Sequence, residues 1–138
     1  MVEDIRQLCL AANPEYTFYY EQAKMMNIKV DKELPTSKIA YLEEVKTGQY
    51  SREGYRWVKT TQYRLMFIQF IPMHAEAVVK EEVLNLIEAE IVKPFISEFI
   101  DAYGRNTAAF RFTTPPPVFD ANDVSIVLQF EHKEYVCL

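Results

Sequence analysis

The sequence predicts a single α+β domain. Its core is a mainly antiparallel β-sheet, with one long kinked helix packed on one face and a short N-terminal helix. Three observations carry this. Between Lys59 and Ile71 the chain alternates as a strand does, with Tyr63, Leu65, Phe67, Gln69 and Ile71 pointing one way and Arg64, Met66, Ile68 and Phe70 the other. The far half of that strand is apolar on both sides, so both faces there require cover. From about Ala75 to Tyr103 the chain is rich in Glu and aliphatic residues at helical spacing, and near the C-terminus Val124, Ile126, Leu128 and Phe130 again define one strand face.

The elements follow in order. Val2 to Ala12 is a helix, with Ile5, Leu8, Cys9 and Ala12 on one side and the early acids Glu3 and Asp4 suiting its N-terminus. Asn13-Pro14 stops it. Thr17 to Tyr20 has strand character. Lys24 to Val30 is ambiguous, a short strand at Asn27 to Val30 being one alternative, and Asp31 to Ser37 is a polar connector holding Pro35. Lys38 to Lys46 is a strand with one wet end, Ile39 and Tyr41 opposing Ala40 and Leu42. Thr47 to Gly54, with two of the three glycines, is expected to be a turn or extended loop, and Trp57 opens the long strand.

Pro72-Met73-His74 is the strand-to-helix turn. In the helix, Val79, Val83, Leu86 and Ile87 are expected to form one apolar stripe. Pro94 lacks the N–H that would bond to the carbonyl of Glu90 and its ring clashes there, so a kink or break is expected at Ile91 to Lys93. Beyond it Phe95, Ile96, Phe99, Ile100 and Tyr103 continue the stripe, and Gly104 is placed to end it. Ala108 to Thr113 is a strand with Phe110 and Phe112 on one side. Thr113 to Pro117 is an extended connector, Asp120 to Asp123 a turn, and Val124 to His132 the last strand, with the remaining residues continuing it or forming a tail.

Composition narrows the function classes. At 138 residues, a chain of this size buries about 68% of its unfolded surface and forms a core without staples. Hydrophobic residues make up 49% and charged ones 25%, a globular balance, while the 14% of aromatics favours strands and contact surfaces. A net charge of −5 opposes the basic stripe that a nucleic-acid binder needs. The longest nearly uncharged run, Leu65 to Ile71, is far below the roughly 20 residues that span a bilayer, and Val2, Glu3 and Asp4 are not the basic start of a secretory signal. Cys9 and Cys137 lack zinc-pair spacing and read as free thiols, a terminus-to-terminus disulfide being the alternative.

No catalytic, cofactor or metal site is expected. His74 and His132 flank different elements, with no nucleophile or acid at a triad's spacing. Glu76, Glu81, Glu82, Glu88 and Glu90 lack the Glu-x-x-His partner of a carboxylate metal site and read as a solvated helix face. Asp120, Asn122 and Asp123 resemble a calcium-loop fragment without its glycine and distal Glu. Gly48 and Gly54 have no following Lys-Ser/Thr to make a phosphate loop. The segment Gln49 to Trp57 stands apart. Tyr50, Arg52, Tyr55, Arg56 and Trp57 are of the types enriched in interface hot spots. It reads either as a hairpin whose aromatics pack on neighbouring strands or as a loop that contacts a partner.

The order helix, strand or strands, strand, long loop, strand, long helix, strand, strand resembles the tail-completion or tail-terminator family of long-tailed bacteriophages. The local features are Pro35 through Leu42, the Thr60 to Phe70 strand running through Pro72 into a helix, and the terminal strand Val124 to Phe130. The resemblance implies a non-enzymatic structural protein of a bacteriophage or prophage, an α+β protomer that forms a ring or other homo-oligomer at the head–tail junction. Its partners would be itself, tail-tube and head-connector proteins. No specific nucleic acid, membrane or small-molecule substrate is implied, and it would reside in the host cytoplasm during assembly and then in the virion tail. A sheet flanked by one helix also leaves a second face and its edges in need of cover, which further copies would supply. The alternative is a small dimeric α+β ligand-binding or regulatory module, with Met66, Phe67, Phe95 and Phe99 lining a pocket under the helix.

Overall fold

The computed structural model describes residues 1–21, 38–44, 46–71, 77–104, 109–116 and 123–138. The strand alternative at Asn27 to Val30, the connector with Pro35, the turn Pro72 to His74, Ala75, Glu76, Ala108, Pro117, Asp120 and Asn122 lie outside them.

The fold is α+β, as the sequence predicts. Helix α1 (Val2–Ala12) is followed by strands β1 (Thr17–Glu21), β2 (Ile39–Glu43), β3 (Thr47–Glu53) and β4 (Arg56–Phe70). Then come α2 (Ala77–Ile87), a π-helical turn at Glu88–Val92, and α3 (Lys93–Tyr103), and last β5 (Phe110–Thr113) and β6 (Asp123–Val136). The sheet runs β1-β2-β4-β6-β5, antiparallel except for the parallel pair β1–β2. Strand β4 organises it. Along one edge its far half pairs with β2 and its near half with β3, while β6 follows its other edge from Trp57 opposite Val136 to Phe70 opposite Asp123.

Alternation along β4 sorts the core into two layers, as the sequence requires. Leu65 and Phe67 join Ala40, Leu42, Val124, Ile126, Leu128 and Phe130 under the helices. Met66 and Ile68 join Ile39, Tyr41 and Val127 on the second face. Gln69, a polar residue on the helix side, donates from Nε2 to the Tyr16 hydroxyl at 2.9 Å. The helix layer is α1, through Ile5 and Cys9, together with Ile87, Ile91, Val92, Phe95 and Phe99. Phe99 lies at the centre of an aromatic group, with ring centroids 4.9 to 6.0 Å from Tyr103, Phe130, Phe110 and Phe95.

The second face corrects one expectation. Ile39, Tyr41, Met66, Ile68 and Val127 are each no more than 1% exposed in a single protomer. This apolar half therefore needs no further copy to cover it. The argument from a bare face fails, and any case for assembly must rest on other surfaces.

The break at Pro94 falls where the missing N–H puts it. The helix passes through one wide π turn immediately before the proline, and Lys93 N–H reaches back five residues to Glu88. At the far end Gly104, at φ 61° and ψ −136°, takes a positive-φ conformation that glycine adopts without a Cβ clash and that ends the helix, its N–H bonded to the Ile100 carbonyl. The expected stripes need correction. Val79 and Leu86 are exposed while Leu84 packs inward, and Ile100 is exposed beside buried Phe99. The six apolar residues between Val78 and Ile87 are spread over more than one side of the helix, so periodicity offered two stripes and packing chose the one through Val83, Leu84 and Ile87. Phe112 is 72% exposed, because β5 is an edge strand and helix cover ends at Phe110.

Residues 47–53 form a strand rather than a turn or loop. Thr-Gly-Gln-Tyr-Ser-Arg-Glu shows no apolar alternation, and its extended state comes from pairing with β4. The last strand also runs past His132 to Val136.

Candidate functional site

Where β3, the near half of β4 and the end of β6 run together, they form a three-stranded arm that extends beyond the helix-covered core. Its register runs from Thr47 opposite Gln62 to Glu53 opposite Arg56 on one side, and from Gln62 opposite Glu131 to Trp57 opposite Val136 on the other. Seven residues at about 3.4 Å each make an arm on the order of 20 Å long. Gly54, at φ 62°, and Tyr55 make its two-residue turn.

The arm is stiffened from within. The Thr47 hydroxyl donates to Gln62 Oε1 at 3.4 Å, and Gln62 Nε2 donates to Glu131 at 3.2 Å, a polar row across all three strands. On the other face Lys59 and Glu134 stand directly opposite each other with 3.9 Å between charges. Gly48 is a close-approach position: a Cβ there would lie 2.2 Å from the Thr60 carbonyl oxygen, so any larger residue would push β3 away from β4.

All five residues singled out in the sequence lie on this arm, on strands and turn rather than on a loop. Tyr50 and Arg52 stand on β3, Tyr55 at the turn, Arg56 and Trp57 on β4. Tyr50 faces Lys59 and Arg52 faces Trp57, so Tyr50, Arg52 and Trp57 share the helix-side face. Arg56 points to the opposite face, its guanidinium 5.1 Å from the Tyr135 ring centre. The hairpin alternative is therefore right about the backbone, yet the aromatics do not pack away. Tyr55 is fully exposed, Tyr50 is 57% exposed, and Trp57 is exposed as well. Arg52 Nε donates to the Gly54 carbonyl at 3.1 Å, which pins the turn. The sequence reading missed Tyr135, which is 62% exposed. The charges Glu131, Lys133 and Glu134 hid the continuing strand, although Glu134 opposite Lys59 was its available sign.

At the base of the arm, on the helix side, lies an open cavity of about 500 Å³, bordered by Asp4, Lys46, Tyr63, Tyr103, His132 and Glu134. The His132 ring meets Tyr103 edge-on at 5.0 Å. Burial pushes the imidazole below its usual range. Burial, helped by the neighbouring Asp4 carboxylate, pushes the Tyr103 hydroxyl up to about 12. Near neutral pH this wall therefore offers a protonated phenol and a neutral imidazole, groups that hydrogen-bond rather than carry charge. Lys46 lies 5.3 Å from the Tyr20 ring centre and 5.9 Å from that of Tyr63. Among the described residues, no group of three His, Cys, Asp or Glu side chains is placed to hold a metal ion.

The pocket expected under the helix is not built from the four residues named for it. Phe67, Phe95 and Phe99 are fully buried and packed ring to ring, and Met66 belongs to the opposite face of the sheet. Glu81, Glu82 and Glu88 are exposed as a solvated helix face should be. Glu90 is not: it is half-buried and ion-paired with Lys38 at 2.9 Å. Cys9 and Cys137 are both free, the first buried and the second exposed.

No protein-family model matches this chain, and no curated protein matches it. Among the described residues no helix is long and apolar enough to cross a membrane.

Proposed function

We propose that this chain is a non-enzymatic structural subunit of a bacteriophage or prophage tail, of tail-completion or terminator type, which assembles with copies of itself into a ring at the head–tail junction. The single observation that carries the assembly part is the arm. A ribbon stiffened by its own hydrogen bonds holds Tyr50, Arg52, Tyr55 and Trp57 away from the core, and the protomer leaves these aromatics exposed. Exposed Tyr, Trp and Arg on a rigid support are what a protein-contact surface needs. The phage part is supported by the order of elements, in which one long strand leads towards a long helix and two strands close the chain. The net charge of −5 suits a ring that DNA passes through without sticking. Further partners are the tail-tube and head-connector proteins, met in the host cytoplasm and retained in the virion tail.

Sedimentation of the chain, alone and with a tail-tube protein from the same genome, tests this. A discrete ring species, or a shift on adding the tube protein, is expected. A strict monomer at high concentration that the tube protein leaves unchanged overturns the proposal.

One observation favours a second reading, a small ligand-binding or regulatory module: the polar cavity beside Tyr103 and His132. A small molecule that raises the melting temperature, and loses that effect in Tyr103→Phe, would select this reading over the first.

A further inference from the structure

Helix α2 presents to solvent a face that its own protomer does not use. Val79, Glu82 and Leu86 follow one another at three- and four-residue spacing, so they form one row along the helix. All three are exposed, Leu86 by 50%, and Val78 and Glu81 flank them. Neither Glu81 nor Glu82 makes an ion pair among the described residues. Single exposed apolar side chains are ordinary, but a row of them interleaved with unpaired carboxylates is a surface shaped for a basic and apolar partner.

The arm is such a partner. Its helix-side face carries Tyr50 and Trp57 with Arg52 between them, and Arg52 makes no ion pair among the described residues. The two surfaces lie at opposite ends of the protomer. Phe95 of α3 touches Phe67 and Phe130, while Tyr103 touches His132, so the helix advances towards the arm and α2 lies behind it. From Arg56 at the arm's tip to Ile68 is twelve residues of β4, on the order of 40 Å. An arm cannot fold back over its own α2.

We infer that the arm of one copy docks on the outer face of α2 of the next, with Tyr50 and Trp57 against Val79 and Leu86 and Arg52 against Glu82. This rests on the ring reading above and supplies its subunit contact. The contact joins two different surfaces, so it repeats head to tail, and it closes into a ring when the rotation per subunit divides the circle.

Two measurements on the full chain test it. In a Cys137→Ser background, Trp57→Cys with Leu86→Cys is oxidised and run under non-reducing conditions. A ladder of dimers and higher species is expected, since the two positions are too distant to join within one chain. In parallel, Arg52→Glu and Glu82→Arg are each expected to weaken self-association more than about tenfold, with recovery when combined. Melting temperatures near wild type establish that these surface variants fold. A wild-type ring that gives no ladder and ignores the reversals overturns this contact and leaves the ring reading standing. A wild-type chain that never assembles overturns both.

Discussion

Asn13 answers the break that Pro94 makes in the long helix. Asn13 Nδ2 donates to the backbone carbonyl of Glu90 at 3.2 Å. In an unbroken α-helix that carbonyl would accept from the N–H of residue 94, which proline lacks. The Asn13 Oδ1 accepts from the Glu15 N–H at 3.0 Å, so one side chain shapes the exit of α1 and serves the helix break together. Lys38 completes the junction, its ammonium held above its usual value by the hydrogen bond to the Glu90 carboxylate.

Asn13→Ala is expected to cost about 1–3 kcal/mol, because it removes both hydrogen bonds of the side chain. The cost shrinks in a Pro94→Ala background, where the helix supplies its own donor. Urea denaturation of both single variants and the double variant measures the coupling. An unchanged cost of Asn13→Ala in that background would show that the two residues act independently.

Phe67→Ala and Phe99→Ala are each expected to destabilise the fold by roughly 3–5 kcal/mol, because both rings are fully buried among other rings and little can collapse into the space. Denaturant titration reads this directly. Wild-type stability in either variant would contradict the packing of the helix on the sheet.

Arg52→Ala and Trp57→Ala are expected to weaken self-association while leaving the melting temperature within a few degrees of wild type. Both side chains are exposed and neither belongs to the core. Sedimentation and thermal melting on the same samples separate the two effects. A parallel loss of both would show that the arm is structural.

His132 carries a pH signature. Burial lowers its folded value below the unfolded one, opposed by Glu134 and Asp4 and helped by the N-terminal ammonium. Between the two values the unfolded chain binds more protons, so stability is complete above the unfolded value near 6.5 and falls as pH drops through the folded one. Thermal melts from about pH 7.5 to about 5 should show this loss in the wild type and a flatter profile in His132→Gln. Identical profiles would remove the assignment. The carboxylate effect at Glu3, held down to about 2 chiefly by its hydrogen bond from Arg6, acts at lower pH and does not interfere.

The two thiols should behave differently. Burial pushes Cys9 up to about 12, so it is protonated and shielded in the folded chain, whereas Cys137 is exposed. A thiol-reactive dye should modify one cysteine in the native protein and two in denaturant. Rapid modification of both without denaturant would mean that α1 leaves the sheet readily.

Elements whose state follows from local pattern were legible in the sequence. Helix α1, the two faces of β4, the interruption before Pro94 and the inward face of β6 all follow from periodicity or from proline chemistry. Strand β3 was not legible, because its polar residues become a strand only once β4 lies beside them. The inward stripe of α2 was ambiguous because Leu84 and Leu86 compete for it. The cover of the second face depends on tertiary packing, which no single strand announces. The arm residues were picked out by side-chain type, yet their arrangement on two opposite faces depends on the turn at Gly54 and Tyr55.

One strand, β4, belongs both to the arm and to the core, and fourteen register pairs tie it to β6 along its length. A pull on the arm along its axis therefore loads those backbone hydrogen bonds in shear, all together rather than one after another. Tension applied at the tip would pass into the body of the sheet without unzipping it, which gives the arm the mechanics of a tether as well as the shape of a contact.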